Sequence, residues 1–236
     1  MKMKGNHILI TGGASGIGYY MAKYFHEWGN EVLICGRRAD RLAQVAAELP
    51  GIKTFKCDVS KQDDREALVA FVEKNMPNMN ILINNAGIQR DVDLTKGVTD
   101  LRLSEIQINL EAPIYLSGMF TQMLAGRENA AIVNLTSRLG FQPERSVSMP
   151  IYAATKGALH NFSVVQRIQL EPLGIRVIEV VPPAVISELN MEGRVRRGTS
   201  NAPYMMGTDE YVQKTLAEMA KGLDEVRVEK EAGVRQ

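Results

Sequence analysis

Seven short apolar runs, each of strand length and each followed by a longer stretch, limit the fold more than any other feature of this chain. They fall at residues 7–11, 31–36, 52–57, 80–84, 130–136, 175–181 and 225–228, with helical patterns between them near 17–29, 39–48, 61–75, 100–125, 152–170 and 208–221. Strands that alternate with helices need crossover connections, which make the strands parallel and set helices on both faces of the sheet. The expected class is α/β, a doubly wound parallel sheet of about seven strands. In such a sheet ligands sit at the carboxyl ends of the strands, where the winding direction switches. Chemistry is to be sought there.

A sheet of this kind with its helices can use all 236 residues as one core, so a single domain over 1–236 is expected. Lys and Arg number 28 against 27 Asp and Glu, which gives no global field to gather nucleic acid or an acidic membrane surface. No apolar run reaches the roughly 20 residues that span a bilayer, and the N-terminus reads as neither signal peptide nor anchor. Cys35 and Cys57 lie inside or at the end of apolar runs, where free cysteine behaves as a small hydrophobe. The absence of a disulfide framework suits a reducing compartment, and a cytoplasmic location is expected. His7, His26 and His160 show no metal-ligand spacing, and no metal is assigned. The tail EKEAGVRQ reads as exposed.

Directly after the first strand, HILIT, comes Gly12-Gly13-Ala14-Ser15-Gly16-Ile17-Gly18, and a helical pattern opens at once behind it. Glycines let the backbone turn tightly and approach a pyrophosphate, while a helix N-terminus offers free N–H groups and a positive dipole end. Gly12, Ala14, Ser15, Gly16, Ile17 and Gly18 are therefore candidates for binding a dinucleotide. Their spacing, with Thr11 in front, resembles the TGxxxGxG signature of the short-chain dehydrogenase/reductase family. The resemblance implies a Rossmann-type fold and a nicotinamide cofactor.

Folds that bind NAD usually carry an acidic residue about 20 positions beyond the glycine loop, to accept hydrogen bonds from the ribose 2′-hydroxyl. Here the second strand ends EVLICGRR. Gly36 stands where the carboxylate would be, and Arg37 and Arg38 follow as forked donors suited to a phosphate. NADP(H) is expected ahead of NAD(H). The resemblance adds Asp58 and Val59 as neighbours of the adenine ring. It also matches Asn84-Asn85-Ala86-Gly87 to the family's NNAG, so that Asn85, Ala86 and Gly87 border the cofactor and the asparagines tie strand ends together.

Tyr152 and Lys156 are four residues apart in a strongly helical stretch and so project from one face, a turn apart. Moving a phenol pKa from about 10 to about 7 requires roughly 4 kcal/mol in favour of the phenolate. An ammonium about 4 Å away, at an effective dielectric of about 20, supplies energy of that order. The pair is a candidate general acid/base, with oxidised nicotinamide as a further positive charge nearby. The run Ala131 to Ser137 delivers hydroxyls at a strand end, and strand alternation lets only Thr136 or Ser137 address the pocket. The family pattern selects Ser137 and assigns Asn109, in SEIQINLEAPIYL, to a fourth position that supports a proton relay through Lys156. Ser137 precedes Tyr152 by 15 residues, slightly more than the family's usual gap, and RLGFQPERSVSMPI absorbs the excess. The implied reaction is hydride transfer between nicotinamide and a carbonyl or secondary alcohol, with Tyr152 moving the proton, Ser137 orienting the oxygen and Lys156 binding the ribose.

After the sixth strand the family normally has Pro-Gly, whereas this chain reads Val180-Val181-Pro182-Pro183-Ala184-Val185-Ile186-Ser187. Pro183 lacks the freedom and the N–H of glycine, leaving Pro182, the backbone of Val185 and the hydroxyl of Ser187 as contacts for the nicotinamide. The VVPPAV run also resembles a bacterial subgroup of the family linked to teichoic-acid D-alanylation genes. The segment from Ser187 to Gly207, interrupted by helix-breaking Gly and Pro, is expected to be a loop, and the resemblance implies that it covers the substrate. It carries Met191, Met205 and Met206 for an apolar ligand body and Arg194, Arg196 and Arg197, and Arg90, Arg138 or Arg194 is placed to meet an anionic group. The partner expected is a small carbonyl or alcohol. Apolar helices near 100–125 and 152–170 resemble those through which family members form homodimers and homotetramers. The competing function is a redox sensor or scaffold that binds NADP(H) without turning it over.

Overall fold

A computed structural model of the chain describes residues 1–97 and 104–229. All its strands form one parallel sheet in the order β3-β2-β1-β4-β5-β6-β7. They are β1 (His7–Thr11), β2 (Glu31–Gly36), β3 (Lys53–Lys56), β4 (Ile81–Asn84), β5 (Ala131–Leu135), β6 (Arg176–Val181) and β7 (Glu225–Arg227). The winding reverses between β1 and β4, the switch point at which such sheets bind ligands.

The strands read as nearly continuous apolar runs because both faces of the sheet are covered. Ile8, Ile10, Val32, Ile34, Ile81 and Ile83 pack in one apolar layer with Met21 and Phe25 of α1 (Gly16–Glu27) and Leu216 and Met219 of α8 (Thr208–Ala220). The alternate residues Leu9, Leu33, Leu82 and Ile132 pack in the other layer. There they meet Leu68 and Val72 of α3 (Gln62–Asn75) and Leu116 and Phe120 of α5 (Ala112–Leu124). Each such aliphatic side chain contributes roughly 1.5–3 kcal/mol by leaving water. The helix α2 (Ala39–Glu48) adds Leu42 and Val45 to the first layer.

The helix α6 (Pro150–Leu170) docks on the sheet through polar as well as apolar groups. Asn84 Nδ2 donates to Asn134 Oδ1 at 2.9 Å, and Asn134 Nδ2 donates to Ser163 Oγ and Gln166 Oε1, both at 2.9 Å. Neighbouring strands and α6 are thus locked in one register, because sliding the helix would leave buried amides unpaired.

The strand and helix boundaries depart from the sequence expectation in a consistent direction. Ile52, Cys57 and Ile175 are buried but lie outside the ladder, so apolar character runs past the point where pairing ends. α6 begins at Pro150, whose fixed φ suits the first turn, and not at Tyr152. The expected helix over 100–125 is, within the described residues, three segments in line. α4 (Ser104–Ile106) passes through a π-helical turn (Gln107–Glu111) into α5, and residues 100–103 lie outside the described residues. The cause is Pro113, which lacks the N–H that would bond the Asn109 carbonyl and whose ring crowds that carbonyl. The segment from Ser187 to Gly207 is also more ordered in its geometry than expected, for it contains α7 (Met191–Arg196). Met206, expected to greet a ligand, is wholly buried in the core and pairs with Val185 in a parallel bridge. Of the tail EKEAGVRQ, only Glu229 falls within the described residues.

Candidate active site

The strand ends open on one cleft of about 1250 Å³. At its inner edge the glycine loop leaves β1, and Gly12 adopts φ +66°. A Cβ on Gly12 would stand 2.9 Å from the Ala86 Cα, and one on Gly18 would stand 2.5 Å from the Gly12 carbonyl and 2.4 Å from Asn85 Nδ2. The loop is therefore folded tightly onto the end of β4, a packing that any side chain would break. Thr11 completes the joint, since its Oγ1 accepts from the backbone N–H of Asn85 at 3.1 Å and of Ala86 at 3.0 Å. Asn85 Nδ2 returns hydrogen bonds to the carbonyls of Thr11 at 2.8 Å and Gly12 at 3.1 Å.

Gly12, Ala14, Ser15, Gly16, Ile17, Arg37, Arg38, Asp58, Val59, Asn85, Ala86, Gly87, Pro182, Val185 and Ser187 all line this cleft, as do Ser137, Tyr152 and Lys156. Gly18 does not line it and acts beneath the loop. Asn109 lies behind the wall: its Oδ1 accepts from Ile88 N at 2.9 Å, and its Nδ2 donates to Ile88 O at 2.9 Å and to Thr155 Oγ1 at 3.2 Å. Wholly buried, it splices the loop that follows β4 to α6. At the far end Arg37 is exposed, while Arg38 Nη2 donates to Ser15 Oγ at 2.9 Å and Arg38 Nη1 to Glu188 Oε2 at 2.9 Å. Glu188 also holds Arg41 at 3.2 Å. Glu188 therefore straps the segment after β6 across the arginine end of the cleft, a contact spanning 150 residues that spacing along the chain cannot reveal.

At the end of β5 both Thr136 and Ser137 line the cleft, although alternation was expected to bring only one of them there. Thr136 Oγ1 donates to the buried Glu179 at 2.7 Å, and Glu179 also binds His160 at 2.9 Å. His160, Glu179 and Glu225 bring possible ligand atoms within 4.8 Å of one another, but Glu179 already serves Thr136 and His160, and Glu225 pairs with Arg227. Ser137 Oγ accepts from Leu139 N at 3.2 Å and is close enough to Tyr152 to favour its phenolate. The long connection from Ser137 to α6 is held by a bare backbone contact. A Cβ on Gly140 would stand 2.7 Å from Gly157 N and 2.8 Å from the Lys156 carbonyl carbon.

Tyr152 and Lys156 are both buried, and their electrostatics differ from the simple pairing expected of a turn's separation. Burial raises the Tyr152 pKa, the Ser137 hydroxyl and the Arg194 charge act to lower it, and Glu105 adds a smaller upward push. Lys156 is lowered by burial to about 8. Its Nζ lies 5.8 Å from the Tyr152 ring centroid and donates to the Leu135 carbonyl at 2.7 Å. Burial thus works against the charged form of each group, and the amine is engaged by the Leu135 carbonyl. Glu105 is itself wholly buried and raised by burial, with the Arg90 backbone N–H and charge opposing. Its Oε2 has no partner among the described residues.

Asp91, which no motif marked, organises the segment over the cleft. Asn190 Nδ2 donates to it at 2.9 Å, and Arg196 and Arg197 both pair with it. A Cβ on Gly193 would stand 2.6 Å from Asp91 Oδ2, so the glycine in α7 permits the close approach of Asp91.

Comparison with known proteins accords with this geometry. The profile of the family described as short chain dehydrogenase matches residues 6–197. An uncharacterized oxidoreductase, DltE, of Bacillus subtilis (strain 168) is 44% identical over 237 aligned residues, covering 100% of this chain and 92% of that protein. A short-chain dehydrogenase from Sphingobium yanoikuyae in complex with NADPH superposes with a TM-score of 0.81 at 29% identity, covering 94% of this chain and 87% of its own. A Burkholderia phymatum short chain dehydrogenase/reductase in complex with NAD shares the fold, with a TM-score of 0.86 at 19% identity and coverage of 96% and 89%. The sheet and cleft define an oxidoreductase of the nicotinamide-binding Rossmann class. The chain belongs to the short-chain dehydrogenase/reductase family.

Proposed function

We propose that this chain is an NADP(H)-dependent oxidoreductase, one domain over residues 1–236, acting on a carbonyl or secondary alcohol with Tyr152 as general acid/base. The observation that carries the reading is the convergence of Ser137, Tyr152 and Lys156 on the cleft that the glycine loop opens. The tight cradle at Gly12 and the lining from Ser15 to Arg38 suit a phosphate-bearing dinucleotide. When bound, the nicotinamide would supply or accept the hydride. Gly36 offers no carboxylate against a 2′-phosphate, and Arg37 and Arg38 offer donors to it. Glu188 is the competitor such a phosphate displaces from Arg38.

In the reductive direction Ser137 donates to the substrate oxygen and Tyr152 delivers its proton there. Lys156, anchored on Leu135, binds the cofactor ribose and returns to tuning the phenol when its charge is retained. Asn109 positions Ile88 and α6 around them. The family resemblance and the reducing-compartment reading of the buried Cys35 and Cys57 together favour a cytoplasmic enzyme. No helix among the described residues is long and apolar enough to cross a membrane.

One observation favours the second reading, cofactor binding without turnover: the Lys156 amine is directed at the Leu135 carbonyl, with its Nζ 5.8 Å from the Tyr152 ring centroid. A panel of ketones, aldehydes and secondary alcohols, assayed with both cofactors, separates the two. Turnover with kcat/KM favouring NADP(H) is expected. A preference for NAD(H) removes the role given to Arg37 and Arg38, and tight NADPH binding with no oxidation by any carbonyl favours the sensor.

A further inference from the structure

Besides Arg37 and Arg38, five arginines line the cleft: Arg90, Arg138, Arg145, Arg194 and Arg197. Most are already committed or solvated. Arg197 pairs with Asp91, Arg138 Nη2 donates to Glu229 at 3.2 Å, Arg90 Nη1 donates to Ser104 Oγ at 2.8 Å, and Arg145 is exposed. Arg194 differs. It is half-buried, and its Nη1 donates only to backbone carbonyls, of Val185 at 3.0 Å and Ser187 at 3.4 Å. No carboxylate pairs with it among the described residues, since Glu188 is held by Arg38 and Arg41 and Glu229 by Arg138.

A partly desolvated guanidinium held by carbonyls keeps its full charge with no counter-ion, an arrangement that favours an anion brought in from outside. The group is fixed in place. Its two carbonyl acceptors belong to a segment pinned by hydrogen bonds from Ile186 N to Met206 O at 2.9 Å and from Met206 N to Ala184 O at 3.0 Å. With Nη1 engaged, Nε and Nη2 remain as an edge of parallel donors, the geometry that matches the two oxygens of a carboxylate. Its charge reaches the Tyr152 phenol, so an anion seated on it lies beside the proposed reacting atoms. Leu139, Met149, Leu189 and Met205 supply apolar lining to the same cleft.

We propose that the substrate is a carboxylic acid with a moderately apolar body, seated by Arg194 so that its carbonyl or carbinol meets Ser137 and Tyr152. This rests on the oxidoreductase reading above and adds the substrate class to it.

The test compares matched acid and ester pairs, 3-oxobutanoate and 4-oxopentanoate against their methyl esters, with NADPH and the full chain. The acids are expected to have the higher kcat/KM. Arg194→Met lowers kcat/KM for the acids by roughly 10- to 100-fold more than for the esters, whose own loss reports the Arg194 charge acting on Tyr152, and Arg194→Lys, with the charge but not the fork, falls between. Esters used as well as acids by the wild type overturn the proposal. Equal loss for acids and esters also overturns it, because Arg194 then acts through Tyr152 or through folding. A rise in the NADPH dissociation constant of Arg194→Met without loss of acid preference assigns the anion to the cofactor and overturns it as well. A second readout needs no turnover: quenching of bound NADPH fluorescence by butyrate against butyramide. Butyrate binding that Arg194→Met abolishes supports the proposal even if no carbonyl oxidises NADPH, a result that would remove the oxidoreductase reading alone. Equal binding of butyrate and butyramide removes the proposal alone.

Discussion

Lys156 is kept in a buried site where its charged form is disfavoured, a cost that the sign of its pKa shift makes measurable. Its folded pKa, about 8, lies below the ordinary 10.5. Between those values the unfolded chain binds a proton that the folded chain does not, and stability therefore rises with pH across that window. The whole interval corresponds to roughly 3 kcal/mol. Relative to Lys156→Met, which has no such proton, the wild type should gain thermal stability from pH 8 to pH 10. Paired melting curves across that range check it, and a constant difference between the two proteins would contradict the burial argument. Tyr152 and Lys156 were legible because a four-residue helical spacing is local information. The Leu135 carbonyl that captures the amine, the Arg90 N–H that reaches one oxygen of Glu105 and the carbonyls that hold Arg194 were not, because each is fixed by contacts between distant segments.

Among the elements, the joint between the Ser137 connection and α6 controls where the hydroxyl stands relative to Tyr152. Gly140 lies against the backbone of Lys156 and Gly157 with no room for a methyl group. Gly140→Ala is expected to destabilise the fold by about 1–3 kcal/mol through overpacking and to lower kcat while leaving the cofactor dissociation constant nearly unchanged. Denaturation midpoints and NADPH titration test this, and unaltered turnover would show that the contact does not position Ser137. The sequence marked this connection only as longer than usual, since nothing local distinguishes a glycine that flexes from one that packs. The strands themselves were well marked, because burial on both faces writes a continuous apolar run. Their ends were not, because Ile52 and Cys57 are as buried as the paired residues. The π-helical turn at Asn109 had a readable signal in Pro113, whose missing N–H falls four residues beyond it.

Across the whole molecule, one sheet gathers residues from Gly12 to Ser187 into a single cleft, and the alternation of elements accounts for its parallel strands. Two surfaces extend beyond that logic. Ile114 and Tyr115 on α5 and Val164, Val165 and Ile168 on α6 are exposed, and they lie on the helices from which the resemblance led to the expectation of a homodimer or homotetramer. Val165→Glu combined with Ile168→Glu should shift the mass in light scattering toward the monomer without altering the circular dichroism spectrum, whereas a wild type already monomeric would remove that expectation. The other is the Glu188 strap, which no local pattern announced and which joins the segment after β6 to Arg38 and Arg41.

The claim on which the functional account turns is that the Tyr152 hydroxyl moves the proton at a site able to hold NADPH. Single-turnover oxidation of bound NADPH, followed by absorbance in the wild type and in Tyr152→Phe with the same carbonyl substrate, tests it directly. The account expects both proteins to bind NADPH alike and the variant's rate to fall by about 10²-fold or more. Oxidation at an undiminished rate in Tyr152→Phe, with binding intact, would contradict it.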